Sequence, residues 1–593
     1  MAGGTGIRTF RFSGFVGGVN AAANIFDQPV GTVLRASNLV GTRRGGLQTV
    51  DGSHVVSSPA SGTSISPIVF LGRYNPKLGV GASRLFAVML SNGTASIYDA
   101  NGSTYGPTPL GSYPNAGPLI GGVQFSNSFF FALGLNSPIY VYQGSSGQIS
   151  PLVNAYQATT NYPPWLPSVA YPKGAHVYAT SGGTNYIFRA KHGGRSGKTA
   201  PAWPATLNAR VNDQEIIWIN KGPLNNGGPT GAAFLFNHMN SLWVWGTAAT
   251  YDSTGINGPD SLWMSDEGQP SWFDPSNQAF IGQGDGQMPM GGAVWTQLEV
   301  GIPANPQLVL FKSLSTYSVV GSFPAISIQA IPNGAGCVAP NTIQLVPNIG
   351  MMRLSAYGVA VFTGTTDVVE AFTDPLRPYL FGGASDIAPL DWANVANSTA
   401  LQTVNPPGYL LLVPTVGSNG LLNRGFFFDR MLKAWFVIDF PFPLSAALMD
   451  IANPGAAASL VAGAQDGVIR QIFAGDEYWD AQPTTPIAWS VRTPVAGAPT
   501  TPIFIRRILT RIRATGTGPA LVSAAMAYEQ GRGGGQESTG LTLAIDTNGM
   551  TQAIDVGRTT LGGTYFDIFG SGRMVLEGLE YQYVPKPVTR VPG

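Results

Sequence analysis

Charged residues are scarce in this sequence. They make up 11% of its 593 residues, whereas an average globular protein carries about 25%. Lys and Arg total 32 and Asp and Glu total 31, so the net charge is only +1. This composition lacks the basic excess of a tight nucleic-acid binder. Because a soluble monomer of this size usually has a more charged surface, we expect neighbouring subunits or uncharged polar side chains to cover much of it.

Cysteine and long apolar runs are also nearly absent. Cys337 is the single cysteine, which excludes an internal disulfide and suits assembly in a reducing cytoplasm. No uncharged apolar run reaches the length of about 18 residues that a membrane-spanning helix requires. The stretch after Arg8 and Arg11 is broken by Gly and Asn, unlike a signal peptide. The sequence predicts neither a membrane span nor a secretory leader.

No motif in the sequence predicts a catalytic, metal or cofactor site. Residues 192–199 (HGGRSGKT) imitate a phosphate-binding loop, but a histidine replaces the first glycine and Pro201 prevents a clean helix start. Residues 265–272 (SDEGQPSW) approach the Asp-box, a structural turn of sialidases, without its Asp and Gly. The Asp and Glu residues are scattered, so the sequence does not identify the two catalytic carboxylates that a glycosidase requires. Four histidines lack metal-ligand spacing: His54, His176, His192 and His238. We expect a protein that is not an enzyme and that holds neither a metal nor a cofactor.

Short strand-like segments, each bounded by Gly, Pro, Asn or Asp, run through the whole sequence. The 77 glycines and 46 prolines are too few for a low-complexity chain and indicate many tight turns. Turn pairs such as Asn92-Gly93 and Asn548-Gly549 separate the segments. Long helical periodicity is almost absent. The pattern predicts an all-β architecture, with clear strands at 83–90, 94–98, 127–133, 139–142, 241–245, 307–311, 315–320, 358–362, 409–413, 425–428, 435–438, 468–473 and 506–513.

A degenerate hairpin repeat favours a β-propeller over a sandwich or a barrel. The repeat starts at Arg84, Ser128, Leu308, Gly358 and Arg424. We predict a propeller-like core of about six blades with an inserted small β module and a C-terminal β region. The predicted divisions are 1–159 (N-terminal segment and first blades), 160–222 (insert), 223–484 (remaining blades) and 485–593 (a separate β domain or a closing segment).

The insert contains aromatic residues whose spacing resembles that of the small chitin-binding modules of bacterial chitinases. The matching residues are Trp165, Tyr171, Gly174, Tyr186, Gly197, Pro201, Trp203, Asp213 and Trp218. Such modules stack flat aromatic faces on sugar rings. Alternatively, the aromatics are the core of a small domain with little else to bury, which would be a structural knob or a docking site for another protein. We expect Tyr178 and Trp203 to be exposed and Trp218 to be core. The candidates for carbohydrate or partner contact are Trp165, Tyr171, Tyr178, Tyr186 and Trp203.

A basic strand is predicted at 504–516 (FIRRILTRIRATG). Strand alternation places Arg507, Arg511 and Arg513 on one face and Arg506 on the other. The three residues are candidates for phosphate contact along a lumen, or for pairing with an acidic neighbour. A solvated edge strand protected by its charge is the alternative.

Four phrases, taken in order, resemble the tail nozzle and packaged-DNA stabilisation (tail hub) proteins of short-tailed bacteriophages. The first, at 12–52, contains Gly17-Gly18-Val19-Asn20, then Pro29 and Asn38, and then Gly45-Gly46-Leu47. The others are SLWMSDEGQPSWF at 261–273, the stretch from LVLFKSLSTYSVVGSF to GVAVFTG at 308–364, and GSGRMVLEGLEYQYVPK at 570–586. Their order carries the resemblance, and the insert departs from the family pattern.

The resemblance implies a virion protein. Members of that family form rings, usually of six copies, below the portal and its adaptor, and each subunit carries a propeller. We therefore expect a homo-hexamer in the virion tail, assembled in the host cytoplasm, that retains packaged DNA and forms its exit channel. Its partners would be the portal adaptor, other tail proteins, and double-stranded DNA that passes without sequence-specific binding. Two alternatives remain: a propeller that binds or cleaves glycans, with the insert on a host cell-surface glycan, and a head-completion stopper.

Overall fold

Nearly all regular structure in the chain is β-strand. The computed structural model describes residues 7–12, 14–21, 29, 31–76, 82–144, 146–154, 162–206, 208–223, 228–252, 255, 257–274, 276–295, 298–299, 302–303, 306–323, 325–383, 387–452, 456–475, 478–479, 485–494, 503–515, 521–529, 536–539, 548–560 and 564–585. Helices among them are short: the α-helices Glu370–Thr373 and Arg377–Phe381, and the 3-10 helices Phe15–Gly17, Pro340–Thr342, Asp374–Leu376 and Trp392–Asn397. None of these described helices has the length and apolarity to cross a membrane. The predicted all-β class is confirmed.

Seven four-stranded antiparallel units form the main body of the described chain, and we number them blades 1 to 7 in chain order. Blades 6 and 7 share one eight-stranded sheet, to which Thr104–Tyr105 adds an edge strand in parallel with Ser53–Pro59. The strands are Ile68–Tyr74, Arg84–Ser91, Thr94–Asp99 and Gly111–Tyr113 (blade 1); Gly121–Phe125, Ser128–Ala132, Tyr140–Gln143 and Gln148–Pro151 (blade 2); Phe234–His238, Ser241–Trp245, Ser261–Met264 and Gln278–Phe280 (blade 3); Pro289–Trp295, Gln307–Lys312, Thr316–Val320 and Ser327–Ala330 (blade 4); Gln344–Val346, Gly350–Ser355, Gly358–Phe362 and Asp367–Val368 (blade 5); Thr399–Val404, Pro407–Pro414, Leu422–Asp429 and the start of Ala434–Asp450 (blade 6); and the end of Ala434–Asp450, Ser459–Ala464, Ile469–Ile472 and Ser53–Pro59 (blade 7).

The blades are arranged as a closed ring. The first strand of each blade contacts the first strand of the next, and Ala434–Asp450 in blade 7 contacts Ile68–Tyr74 in blade 1. Four-stranded blades in a closed circle are the β-propeller fold. Ser53–Pro59 closes the circle, because it pairs with Ile469–Ile472 as the outer strand of blade 7. The start of the chain is thereby tied to the end of the propeller.

Apolar side chains fill the spaces between consecutive blades. Phe86 of blade 1 contacts Phe129 and Phe131 of blade 2, with ring centroids 5.3 and 5.2 Å apart. In blade 3, Trp263 is buried toward blade 2 and Trp243 toward blade 4. Because both faces of such a blade are covered, its middle strands are apolar throughout rather than alternating with polar residues.

The insert folds between blades 2 and 3. Its sheet has the strand order His176–Ser181, Thr184–Ala190, Ile216–Pro223 and Arg210–Asp213. One face of this sheet is apolar and is covered by the segments 163–174 and 191–206, which we call the covering layer. Within the covering layer, the strands Ala170–Tyr171 and Gly194–Arg195 pair with each other.

The two ends of the chain form two further sheets together, which we call the terminal sheets. The first contains Asn548–Thr560, Ile503–Ala514, Met574–Pro585, Leu47–Thr49 and Leu39–Gly41, with Arg8–Phe12 also on Met574–Pro585; the second contains Arg35–Ser37, Ala488–Arg492, Thr564–Ser571, Leu521–Glu529 and Gln536–Thr539. Phe566 of the second sheet contacts Tyr581 of the first at 5.5 Å between ring centroids. The core between them continues into blades 5 and 6. Three short pairs complete the described strands: Gly18–Val19 with Thr32–Val33, Leu298–Glu299 with Ile302–Pro303, and Tyr478–Trp479 with Thr485–Pro486.

Two expectations from the sequence are corrected by the strand pairing. The described blades number seven rather than about six, because Ala434–Asp450 serves two blades and Ser53–Pro59 completes the last one. The pair Asn548-Gly549 is not a turn, since it begins the strand Asn548–Thr560, in which Asn548 lies opposite Arg513. Lys586, at the end of the last family-like phrase, lies outside the described residues.

Candidate functional site

The side chain of Asp213 organises the core of the insert. It is buried, and its Oδ2 accepts hydrogen bonds from the indole N–H groups of Trp165 and Trp218, each at 2.8 Å. Its Oδ1 accepts the backbone N–H of Gly197 at 2.7 Å. A buried carboxylate needs such donors to offset its lost hydration. Four residues of the chitin-binding-module pattern therefore form one hydrogen-bonded core.

The candidate aromatic residues of the covering layer are half-buried on that core. The ring of Trp203 lies 4.3 Å from that of Phe188 and 6.1 Å from that of Trp165. Tyr171 lies 5.2 Å from Trp218, which is fully buried as predicted. Tyr186, on the sheet itself, also packs there. The expectation that Trp203 is exposed is wrong, because its ring belongs to this cluster.

The other face of the insert sheet docks on blade 3 through aromatic rings. The His176 ring stacks on Trp272 with centroids 4.1 Å apart and an interplanar angle of 26°. Tyr162 meets the same indole edge-on at 5.4 Å. Tyr178 packs in this cluster and is half-buried, so the expectation that it is exposed is also wrong.

Two ion pairs accompany this docking contact. Arg189 lies 3.2 Å from the buried Asp266, and Lys221 pairs with the fully buried Asp274. Both cations belong to the insert and both carboxylates to the loop of blade 3. Burial lowers the pKa of His176 to about 3, and the charges of Arg189 and Lys221 act in the same direction. His176 is therefore neutral in the docked insert at physiological pH.

The remaining cations of the insert are exposed and enter no ion pair with the described carboxylates: Lys173, Lys191, Arg195, Lys198 and Arg210. The composition of the whole chain does not reveal these five cations, because positive and negative charges nearly balance over its full length. A count limited to 162–223 gives seven Lys and Arg against two Asp and Glu. That local count is the signal that would have found them.

One of the two motif-like segments is a turn and the other contains a short strand. In 265–272, Asp266 and Gln269 bridge each other, and the N–H of Gly268 donates to the carbonyl of Asn240 at 2.7 Å. In 192–199, Gly194–Arg195 form a short strand, and residues 191–206 contain no helix. The second segment therefore lacks the helix N-terminus with which a phosphate-binding loop holds its ligand.

The arginines of Ile503–Ala514 meet an acidic residue of their own chain. Arg511 Nε lies 2.6 Å from Glu577 Oε2, and Arg513 Nη2 lies 3.8 Å from its Oε1. Arg507 is half-buried and Arg506 is exposed. The interpretation as an edge strand is wrong, because Ile503–Ala514 pairs with a strand on each side.

Asn38 of the N-terminal phrase joins the terminal sheets to blade 6. Its side-chain N–H donates to the Ala488 carbonyl at 2.7 Å, and its side-chain oxygen accepts the Asp439 N–H at 2.8 Å. Its own backbone N–H donates to the Val437 carbonyl at 2.9 Å. Asn38 has a φ of 58°, a left-handed conformation that Asn tolerates better than most residues. One residue thus fixes both sides of this junction.

Two glycines of the same phrase allow close approach of backbones, one at this junction and one within the first terminal sheet. Gly18 has a φ of 64°, and a Cβ there would collide with the carbonyl of Trp435 in blade 6. A Cβ on Gly46 would lie 2.9 Å from the carbonyl of Leu576 in the C-terminal phrase. Any side chain would force these backbones apart.

A cavity of about 460 Å³ lies between blade 6 and the second terminal sheet. Arg35, Arg424 and Arg492 line it. Two of these arginines are paired: Arg492 with Asp567 through contacts of 2.7 and 2.8 Å, and Arg424 with Asp439 at 2.8 Å. Burial and the neighbouring Arg492 lower the pKa of Arg35. Each of these ion pairs lies within one sheet, the first in the second terminal sheet and the second in blade 6. The Ser37 hydroxyl crosses between the two, since it donates to Asp439 Oδ2 at 2.6 Å.

The buried polar groups of the propeller serve packing between blades. Cys337 is fully buried beside blades 4 and 5, and burial raises the pKa of its thiol to about 11. The fully buried Lys312 lies 2.7 Å from both Asp260 and Asp285. In the part of the chain that the structure describes, no three His, Cys, Asp or Glu side chains cluster where a metal ion could bind.

Comparisons with known proteins yield likeness of shape alone. No protein-family model matches the chain, and no curated protein matches it by sequence. Among solved structures it is similar to BBS1N in complex with ARL6DN (12% identity, TM-score 0.34, 72% of this chain and 98% of that chain). It is also similar to the dihydro-heme d1 dehydrogenase NirN (10%, 0.32, 87% and 80%) and to YCF48 bound to D1 peptide (10%, 0.22, 69% and 94%). The assignment as a propeller rests on the strand pairing described above.

Proposed function

We propose that the chain is a structural subunit of a short-tailed bacteriophage nozzle or hub ring, which retains packaged DNA and forms its exit channel. The observation that supports the proposal is the pairing of the first and last family-like phrases in the first terminal sheet. Leu47 lies opposite Leu576 there, and Gly18 and Asn38 of the first phrase contact blade 6. Phrases from opposite ends of the chain thus build one sheet that is fixed to the propeller, as expected of a framework that a family would share.

The composition supports assembly into a ring. With charged residues at 11%, the surface is suited to burial against other subunits, since the cores of protein interfaces are poor in charge. A ring requires the same heterologous contact to repeat until it closes. The DNA channel of the proposed hexamer is enclosed by the subunits together, and the adaptor and other tail proteins contact the ring above and below.

The proposal is tested by immunogold labelling of particles from a lysate of the source, with antibody raised against this chain. Gold at the tail tip or at the neck is the expected result, and its position distinguishes a nozzle from a head-completion stopper. Antibody absorbed on the purified chain is the control. Gold absent from particles, with the antigen free in the supernatant, would overturn the proposal.

Averaged electron micrographs of the labelled particles supply an independent readout. A six-fold ring around a lumen that admits a DNA duplex is expected at the labelled position. A chain that remains strictly monomeric in particles and in purified form would contradict the ring.

A further inference from the structure

The insert carries a local excess of positive over negative charge. Residues 162–223 carry an excess of five positive charges, whereas the whole chain has a net charge of only +1. The rest of the chain is therefore acidic on balance. A polyanion approaching the subunit is attracted more to the insert than to the rest of the chain.

Docking on blade 3 uses two of the seven insert cations and leaves the others free. Arg189 and Lys221 pair with Asp266 and Asp274, whereas the other five cations are exposed. The two insert carboxylates do not neutralise them. Asp213 is buried among N–H donors, and the Glu215 side chain accepts a backbone N–H, that of Arg195, at 2.8 Å.

Four of the exposed cations lie on two neighbouring loops of the covering layer. Lys173 belongs to one loop, and Lys191, Arg195 and Lys198 to the other. The two segments are adjacent, since Ala170–Tyr171 pairs with Gly194–Arg195. A Cβ on Gly193 would lie 3.1 Å from the backbone nitrogen of Lys173. The sheet face that docks on blade 3 is the opposite one, so these cations remain accessible in the docked insert.

Half-buried aromatic rings lie in the same covering layer as these cations. Trp165, Tyr171 and Trp203 pack on the sheet and are only partly buried. Sugar rings stack on such surfaces, whereas the bases of an intact DNA duplex are stacked on one another and its phosphates dominate its affinity for proteins. We infer that the covering layer of the insert binds an anionic polysaccharide, with Lys173, Lys191, Arg195 and Lys198 on its charged groups. This inference does not depend on the proposed function, because it concerns the isolated subunit.

The test measures binding of the purified full chain to immobilised polysaccharides by biolayer interferometry. The probes are polygalacturonate, which carries carboxylates, phosphomannan, which carries phosphates, neutral dextran, and a short DNA duplex. We expect binding to at least one of the two charged polysaccharides, stronger than to the duplex and weakened by salt. The stronger of the two identifies the anionic group. Dextran is expected to give no signal.

The variant Lys191→Gln/Arg195→Gln/Lys198→Gln removes three charges from the covering layer and is expected to weaken this binding by at least about tenfold, because fewer counterions are released. The matched control is Arg43→Gln/Arg44→Gln/Arg506→Gln, which removes three exposed cations elsewhere and is expected to bind within about twofold of the parent. Tryptophan emission verifies that the insert stays folded. Equal losses in both triple variants, no binding to either charged polysaccharide, or binding to the duplex as tight as to the polysaccharides would each overturn the inference.

Discussion

The propeller and the insert use the same charged residue types in opposite ways. In the propeller, Arg353 and Lys312 are fully buried and paired with carboxylates, Lys312 with Asp260 of the neighbouring blade and Arg353 with Asp367 of its own blade. In the insert, Lys191 and Arg195 are exposed and enter no ion pair with the described carboxylates. A near-zero net charge therefore conceals a difference between the two regions, since these propeller cations are paired inside the fold whereas five of the seven insert cations are exposed.

The largest expected effect follows from breaking a buried pair in the propeller. Arg353 Nη2 lies 2.5 Å from Asp367, and its guanidinium lies 4.0 Å from the Phe311 ring centre. We expect Arg353→Ala to lower the free energy of unfolding by about 3–5 kcal/mol, because it leaves a buried carboxylate uncompensated. Urea denaturation measures the loss. The control is Arg377→Ala, whose exposed pair with Asp374 is worth about 0–1 kcal/mol at most. Similar small losses for both variants would contradict the contrast between buried and exposed pairs.

A somewhat smaller and local effect is expected at the centre of the insert. Asp213→Ala removes the acceptor of two indole N–H groups and one backbone N–H. We expect a loss of at least about 2 kcal/mol, seen as protease cleavage within 162–223 while the propeller stays intact. Glu215→Ala is the matched control, since that side chain is exposed. Cleavage in the propeller first would show that the insert is not the region that opens.

The docking of the insert is expected to weaken in acid. An unfolded chain protonates His176 below a pH of about 6.5, whereas the docked insert keeps its pKa near 3. The contribution of His176 to the stability of the docked insert is therefore complete above about pH 6.5. It falls as the pH drops from about 6.5 toward the folded-state pKa of about 3, by up to about 1.4 kcal/mol per pH unit. Thermal unfolding of the insert from about pH 7 to about pH 4.5 measures the slope. His176→Gln should flatten it and His192→Gln, at an exposed position, should not; an unchanged slope in the first variant would refute the assignment.

The smallest expected effect is at the strand Ile503–Ala514. Arg511 pairs with Glu577, but its side chain is 61% exposed. Solvent screens such a pair, so Arg511→Gln is expected to change the free energy of unfolding by less than about 1 kcal/mol. A loss as large as that of Arg353→Ala would show that this ion pair supports the terminal sheets.

Local sequence patterns predicted the strands better than the way they assemble. The strands at 241–245 and 358–362 are observed with the predicted bounds, because each is a short apolar run between turn residues. The blade number was wrong because the ring is closed by Ser53–Pro59, far in sequence from its partner Ile469–Ile472. Periodicity reports on the neighbours of a residue in sequence and carries no information on such distant pairing.

The candidate site shows the same limit. The aromatic residues of the insert were found from their spacing, but their packing decides that Trp203 and Tyr178 are half-buried. The exposed cations do not show in the net charge of the whole chain, which is close to zero, but they do show in the net charge of the insert.

The all-β class, the hairpins and the distinct character of the insert follow from residue type and local spacing alone. Which charges are used internally and which are exposed depends on how distant segments pack together. Arg353 and Arg195 are the same residue type, yet one is fully buried beside Asp367 and the other is exposed on the covering layer of the insert. Burial and the nearness of a carboxylate set the role of each arginine, and both depend on contacts between distant parts of the chain.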